Sequence, residues 1–222
     1  MNKILVKDYL KINGIIGEIT SENKSIILDI FGTNKLYLYN NVLNNIDLNV
    51  SDNSKLDIFI YSNKLTDITI NINQNNDSIV NFNYSFINYD NSNVKINNNI
   101  RGNNNTSNFI VRNISKRELS KIEVCANIIK NSKNNEVYEK INGITDGGNI
   151  LVKPDIICDS FETIANHSSV IGYVNRDELH YLMSKGLEID TANKLICNGF
   201  ILNNMDKYMQ EKILNGGGGI DE

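Results

Sequence analysis

Five side chains in this sequence have the chemistry to bind a transition metal, namely two histidines and three cysteines. Imidazole nitrogen and thiolate sulfur are natural protein ligands of iron and of iron–sulfur clusters. His167 lies just before the point where a strand-like pattern gives way to a helical one. Cys158 precedes it by nine residues, enough for a strand, a turn and the start of the next strand. The spacing allows a Cys158–His167 metal pair, although a free cysteine is more often a small buried hydrophobic residue.

The remaining cysteines and the second histidine are weaker candidates. Cys125 alternates with Ile122 and Val124, so it points away from their apolar face and stays a candidate ligand. Cys197 falls inside a helical pattern and is predicted to pack in a core. His180 is predicted to pack or to contact a partner rather than to bind metal. Because the chain has no CxxC pair and no paired zinc spacing, spacing alone does not define a metal site.

Composition and charge argue against several classes of protein. A net charge of −4 and a pI near 5.3 do not indicate a broad basic surface for nucleic acid. Three cysteines in 222 residues do not make a disulfide framework and indicate a reducing compartment. The apolar run at the amino terminus is too short for a signal peptide, and no run approaches a membrane span. We expect a cytoplasmic protein with no nucleic-acid partner and no membrane partner.

The motifs of common enzyme classes are also missing. The sequence has no Walker loop, no GxSxG elbow and no dinucleotide-binding glycine pattern. The glycine run near the carboxyl terminus follows a helical pattern instead of opening one, so residues 216–222 are predicted to form a frayed tail rather than a phosphate loop. We therefore expect no catalytic residues, no bound nucleotide and no enzymatic activity.

Alternating apolar residues dominate the middle of the chain. From Lys55 onward they recur with the period of two that places one face of a strand against a core. The clearest series are Leu56, Ile58 and Ile60; Ile68, Ile70 and Ile72; Val80, Phe82 and Tyr84; and Val94 and Ile96. Asparagine-rich segments at 73–77 and 97–105 are predicted to form the turns, because asparagine tolerates left-handed backbone. Strands at this spacing without helices fit a sandwich, a barrel or a β-solenoid, and the spacing does not choose among them.

A helical pattern follows the strands. Asn175 is predicted to cap the first helix, with Glu178 completing a capping box and Gly186 ending it. A second helix is predicted from Asp190 to Gly199, with Ala192, Leu195 and Ile196 buried. A third is predicted near 205–214.

Short motifs between residues 149 and 202 occur in an order that resembles the closing segment of the SufB/SufD family. They are Pro154-Asp155-Ile156, His167-Ser168-Ser169, Ile171-Gly172, Leu179-His180-Tyr181-Leu182, Lys185-Gly186, Ala192 and Gly199-Phe200. The resemblance implies a mainly β fold, a right-handed parallel β-helix (β-solenoid) with a small C-terminal α-helical module. It also implies two units, a scaffold domain at 1–174 and a helical module at 175–222.

The resemblance also implies a function and a set of partners. It implies a scaffold subunit of Suf-type iron–sulfur cluster assembly that holds a transient cluster and works with a SufC-like ABC-type ATPase. The ATPase would dock on the helical module and pull on the scaffold, and strand edges would pair two subunits as a homodimer or a heterodimer. The implied partner-binding residues are Leu179, Tyr181, Leu182, Gly186, Ala192, Gly199 and Phe200.

The same resemblance bears on the candidate cluster ligands. His167 aligns with a family histidine at the subunit interface, which implies a metal ligand there. The position of the SufB assembly cysteine, counted back from Pro154, is Glu139 here, and the glutamate that follows the family histidine is Ser168. The chain is therefore closer to SufD. Glu139 joins His167, Cys158 and Cys125 as a candidate cluster ligand, although a strand carboxylate is more often solvated.

Two alternative functions stay open. One is a structural paralogue that keeps the fold and docks the ATPase but holds no cluster, which the absence of a cysteine at position 139 favours. The other is a carbohydrate-binding or lyase β-solenoid. That alternative would predict an export signal, aromatic stripes and clustered acids, none of which the sequence shows.

Overall fold

The computed structural model describes residues 1–40, 43–63 and 67–216, and these contain fifteen strands and three helices. The strands are β1 (Asn2–Leu5), β2 (Tyr9–Asn13), β3 (Ile16–Thr20), β4 (Ser25–Phe31), β5 (Thr33–Tyr39), β6 (Asn45–Val50), β7 (Lys55–Ser62), β8 (Asp67–Gln74), β9 (Ile79–Asn88), β10 (Ser92–Ile100), β11 (Thr106–Ser115), β12 (Leu119–Ile128), β13 (Lys133–Thr145), β14 (Asn149–Cys158) and β15 (Glu162–Gly172). The helices are α1 (Arg176–Ser184), α2 (Ile189–Leu202) and α3 (Lys207–Asn215). Residues 217–222, most of the predicted frayed tail, lie outside the described part of the chain.

All the strands belong to two parallel sheets. The eight odd-numbered strands form one, called sheet A, in the order β1-β3-β5-β7-β9-β11-β13-β15, and the seven even-numbered strands form the other, sheet B, from β2 to β14. Each strand therefore pairs with the strand two places later in the chain, which is the topology of a parallel β-helix. The predicted right-handed β-solenoid is confirmed, and the sandwich and the barrel are excluded.

The core is the space enclosed by the two sheets, here called the lumen. The alternating apolar residues predicted to face a core are buried, because every second side chain of a strand points inward. Parallel in-register pairing stacks like positions above one another, so Phe82 and Phe109 stack with ring centroids 5.0 Å apart. The resulting columns run along the length of the solenoid.

The asparagines have two roles, of which the sequence indicated only one. Corner residues Asn53, Asp77 and Asn104 have positive φ angles of 55°, 55° and 57°, as expected for turns. However, the predicted turns were too long, since residues 73–74 and 97–100 belong to strands. The outward-facing asparagines of these strands stack outside the lumen, where Asn97 donates to Asn71, which donates to Asp47. Amide ladders of this kind satisfy polar groups on a flat strand face, which periodicity in the sequence does not reveal.

The first helix follows the prediction closely. The Asn175 side chain accepts hydrogen bonds from the backbone N–H groups of Asp177 and Glu178, and Gly186 follows the helix with a φ of 92°. None of the described α1 residues is buried. No described helix is long and apolar enough to cross a membrane.

The second helix differs from the prediction at its end and on its buried face. It continues through Gly199 to Leu202, so the predicted end is wrong. Leu195 is 51% exposed and Ile196 half-buried, whereas Ala192, Cys197 and Ile201 are buried. The reason is the surface on which α2 packs: Ser85 of sheet A donates to the Ile201 carbonyl. Because α2 packs on sheet A in this orientation, its buried face contains Ala192, Cys197 and Ile201 and not Leu195.

The helices α2 and α3 cover the outer face of sheet A. Arg112 of β11 donates to the carbonyl of Phe200 at 3.0 Å, which places a cation at the carboxyl end of α2. Further along, Met209 and Ile213 of α3 are buried in a cluster that includes Tyr37 and Tyr61. The helical layer thus extends from the last coil toward the first.

Candidate functional site

One column of the lumen changes from apolar to polar at the carboxyl-terminal end of the solenoid. Phe109 of β11 pairs with Glu139 of β13, and Glu139 pairs with His167 of β15. Val137 and Ile141, two residues on either side of Glu139, are both buried. Because strand side chains alternate, Glu139 shares their inward face. The carboxylate of Glu139 and the imidazole of His167 therefore occupy the same position on neighbouring strands, above a stack of aromatic rings.

Glu139 is almost completely buried. Only 3% of the residue is exposed, so the expected solvated carboxylate is wrong. Neither carboxylate oxygen has a hydrogen-bond partner among the described residues. Burial in the lumen, with a smaller contribution from the charge of Asp155, raises the pKa of Glu139 to about 7. Two buried oxygens without a donor are suited to a cation or to a proton.

His167 occupies the exposed end of the same column. Its strand, β15, is the last strand of sheet A, and among the described strands it pairs only with β13. The residue is exposed, and its side chain makes no hydrogen bond with the described residues. The imidazole is therefore accessible to solvent at the position beside Glu139.

Cys125 lies across the lumen wall, on sheet B. It pairs with Asp155 of β14 and alternates with the buried residues Val124 and Ala126, so it points outward as predicted. Partial burial, followed by the charges of Asp155 and Glu139, raises the pKa of the Cys125 thiol. A raised pKa favours the protonated thiol over the thiolate, which is the form that binds metal.

Cys158 does not form a pair with His167 in this chain. It stands exposed at the corner where β14 ends, and its thiol donates to the carbonyl of Ser160 at 3.2 Å. His167 is five residues beyond the start of β15, a rise of about 16 Å along the strand. The third cysteine, Cys197, is buried as predicted, and burial raises its pKa to about 11.

A complete metal site is not present in the described part of this chain, where no three His, Cys, Asp or Glu side chains are placed to hold an ion together. Glu139 and His167 together offer one oxygen ligand group and one nitrogen. Carboxylate oxygen and imidazole nitrogen are both donors that proteins use for iron, and two donors do not complete a site by themselves.

An open groove of about 330 Å³ crosses strands β11, β13 and β15 at this column. It is lined by residues 108–110, 138–140 and 166–168. The groove ends at the last strand of sheet A, so a molecule bound at the solenoid end would extend it.

The predicted partner-binding residues divide into two sets. Tyr181 is 62% exposed, and with Leu182 it lines a second groove of about 370 Å³ between α1 and α2. Asp177 and Glu178 give that groove an acidic rim. Leu179 is half-buried, and Gly186 and Gly199 are exposed.

The second set packs within the chain. Ala192, one of the predicted partner-binding residues, is fully buried within this chain. Phe200 lies under the guanidinium of Arg112, 4.9 Å from the ring centroid. Phe200 therefore joins α2 to β11, a contact over 88 residues of sequence that a local pattern cannot predict.

The burial of Glu139 was not recognised from the sequence, although a signal for it exists. The segment Val137-Tyr138-Glu139-Lys140-Ile141 places Glu139 on the same face as two apolar residues. The pairing of Glu139 with His167 and its position above Phe109 had no such signal, because they depend on register between strands about thirty residues apart.

The pKa of Glu139 gives a testable pH dependence. The pKa of Glu139 is higher in the folded protein than in the unfolded chain. Its contribution to the free energy of unfolding is therefore fully present below the unfolded pKa, and it is lost as the pH rises from 4.5 to about 7. Over this window wild type should lose about 3 kcal/mol of unfolding free energy that Glu139→Gln does not lose. Chemical denaturation of both proteins from pH 4 to pH 8.5 measures the difference.

Glu136→Gln, at an exposed position of the same strand, is the matched control and should differ from wild type by a constant amount. A constant difference for Glu139→Gln as well would show that the carboxylate is not held in an apolar lumen.

Residues 40–200 match the family described as SUF system FeS cluster assembly, SufBD core domain. No curated protein matches the chain. The matched region contains both Glu139 and His167, the strands that carry them, and helices α1 and most of α2. Since it covers well over half of the sequence, the chain belongs to the SufB/SufD family of SUF-system iron–sulfur cluster assembly proteins.

Proposed function

We propose that this protein is a scaffold subunit on which an iron–sulfur cluster is assembled as cargo. The observation that carries the proposal is the Glu139–His167 column at the open end of the solenoid. A buried carboxylate without hydrogen-bond donors is costly, and ligation of a cation would satisfy it. The exposed imidazole of His167 lies at the paired position of the next strand, so one ion could contact both the carboxylate and the imidazole.

The missing donors would come from a second SufB/SufD-type subunit, in a homodimer or a heterodimer. Strands β14 and β15 each end a sheet and leave one edge unpaired. The exposed apolar residues of these strands are Leu151, Ile157, Ile164, Val170 and Ile171, between 42% and 64% accessible. Open apolar edges of this kind favour pairing with another chain. Such pairing would place the partner's side chains directly beside His167.

The helical module, residues 175–222, would dock a SufC-like ABC-type ATPase. In support, α1 has no buried residues among those described, and its groove combines the apolar side chains of Tyr181 and Leu182 with the acidic Asp177 and Glu178. A partner with an apolar knob flanked by basic residues would fit this surface. In this proposal the ATPase, not this chain, binds the nucleotide, and the complex works in the cytoplasm.

The interaction-only paralogue stays a second candidate. It is favoured by the fact that residues 1–40, 43–63 and 67–216 contain no group of three metal-ligating side chains. The two functions differ in iron content, because only the scaffold would hold a cluster in the presence of its partners.

Docking through α1 predicts the effect of a double substitution. Tyr181→Asp with Leu182→Asp places two charges in the groove and should abolish co-purification with a SufC-type ATPase. The circular dichroism of the solenoid should persist, since neither residue belongs to the lumen core.

Leu214→Asp is the control, an exposed leucine on α3 (55% accessible) that does not line the groove, and should leave co-purification intact. Unchanged capture of the ATPase by the double variant would contradict docking at this groove.

The cluster role predicts separate effects of His167→Ala on iron and on stability. Iron content and cluster absorbance after anaerobic reconstitution with the partners should fall severalfold, because a lost ligand weakens a metal site by about tenfold or more. The apo protein should stay within about 0.5 kcal/mol of wild type, since the side chain is exposed.

The other histidine supplies the control. His180→Ala, at an exposed position of α1, should keep full iron content. If His167→Ala also keeps it, or if wild type takes up no iron, the scaffold function is rejected and the interaction-only paralogue is left.

A further inference from the structure

Helix α3 packs against the opposite end of the solenoid from the candidate cluster site. Asp206, which caps α3, forms an ion pair with Lys35 of β5 and accepts a hydrogen bond from Tyr37 at 2.6 Å. Two turns later Lys212 pairs with Glu18 of β3. Both ion pairs therefore join the C-terminal helix to strands near the start of the chain.

The ion pairs enclose an aromatic contact. Tyr208 packs edge-on against Tyr37 with centroids 4.8 Å apart, and its hydroxyl donates to Glu18 at 3.0 Å. The ammonium of Lys212 lies 4.9 Å from the ring centroid of Tyr39. Glu18 is 5% exposed, so its charge depends on these partners. Burial raises the pKa of Glu18, but the hydrogen bonds from Lys212 and Tyr208 lower it overall.

The apolar part of this contact is separate from the core of the solenoid. Met205, Met209 and Ile213 belong to a cluster with Tyr37 and Tyr61 outside sheet A, whereas the lumen core includes none of the described helix residues. Loss of α3 would expose aromatic rings on the outer face, but it would leave the lumen contacts unchanged. The helix is thus attached to a solenoid that does not need it for its interior packing.

The helical layer is held at two places along the stack of coils. Near the middle, Ser85 of β9 and Arg112 of β11 bind the carboxyl end of α2. At the first coils, Glu18 and Lys35 bind α3. Four residues, 203–206, join the two helices. The first-coil attachment lies outside the matched family core, since Glu18, Lys35 and α3 all fall beyond residues 40–200.

We propose that α3 is a releasable strap that ties the C-terminal helical layer to the first coils and opens without unfolding the solenoid. Its two ion pairs fix where the helix lies, and Met209 and Ile213, together with Met205 just before the helix, supply the apolar contact. With the strap closed, a displacement of α2 is carried along the outer face of sheet A to β3 and β5. With the strap open, the displacement ends at β9 and β11. The proposal concerns this chain alone and does not depend on cluster assembly or on the ATPase.

Hydrogen exchange of the full-length protein, followed by mass spectrometry, tests the strap. Lys35→Met with Lys212→Met removes both ion pairs but keeps apolar side chains over the aromatic rings. Peptides covering 207–215 should exchange on the order of tenfold faster than in wild type, while peptides from β7 to β13 keep their protection. The matched control is Lys55→Met with Lys95→Met, two lysines of longer, more exposed ion pairs at 3.8 and 3.7 Å, which should leave α3 unchanged.

A charge reversal provides a second, independent test. Glu18→Lys alone should release α3, and adding Lys212→Glu should restore its protection, because the pair is rebuilt with opposite polarity. Unchanged exchange of α3 in the double methionine variant would overturn the role of the ion pairs. Simultaneous loss of protection in α3 and in β7–β13 would overturn the strap, since α3 would then be an integral part of the fold.

Discussion

In-register parallel stacking is the constraint on which the rest of this structure depends. Each strand pairs with the strand one coil away at the same position, so a residue type is repeated along a column inside or outside the lumen. Apolar columns fill the interior, and asparagine ladders cover much of the outside of sheet B. The same constraint forces Glu139 inward above Phe109 and beneath His167. The candidate site therefore arises where an otherwise apolar column becomes polar at an open end.

The local elements could be predicted from the sequence because their signals are local. Alternation located the strands around Ile58 and Phe82, and the N-cap of α1 followed from Asn175. The choice of a solenoid required resemblance to a family, since the spacing also fits sandwiches. The long-range features had no local signal: Arg112 binds Phe200, and Glu18 binds Lys212. For the same reason the buried face of α2 was predicted incorrectly at Leu195.

The acidic residues at the two ends of the solenoid differ in whether they have hydrogen-bond and ion-pair partners. At the last coils, Glu139 is buried without a donor and Asp155 raises its pKa further. At the first coils, Glu18 and Asp206 each have a lysine and a tyrosine as partners. An acid that lacks partners is suited to ligate something else, whereas an acid that has them holds the fold together. The proposed cluster site is therefore at the end of the solenoid where the buried acid has no hydrogen-bond or ion-pair partner.

If the cluster donors come from two chains joined at the open edge, as proposed, the iron content of the protein should depend on its oligomeric state. Ile164→Lys with Val170→Lys should charge the edge of β15 and yield monomers by light scattering, with Ile27→Lys on β4 as the control. If the site is shared between two chains, the edge variant reconstituted anaerobically with its partners holds only background iron while its circular dichroism matches wild type. A monomeric variant that binds as much iron per chain as wild type would contradict a shared site.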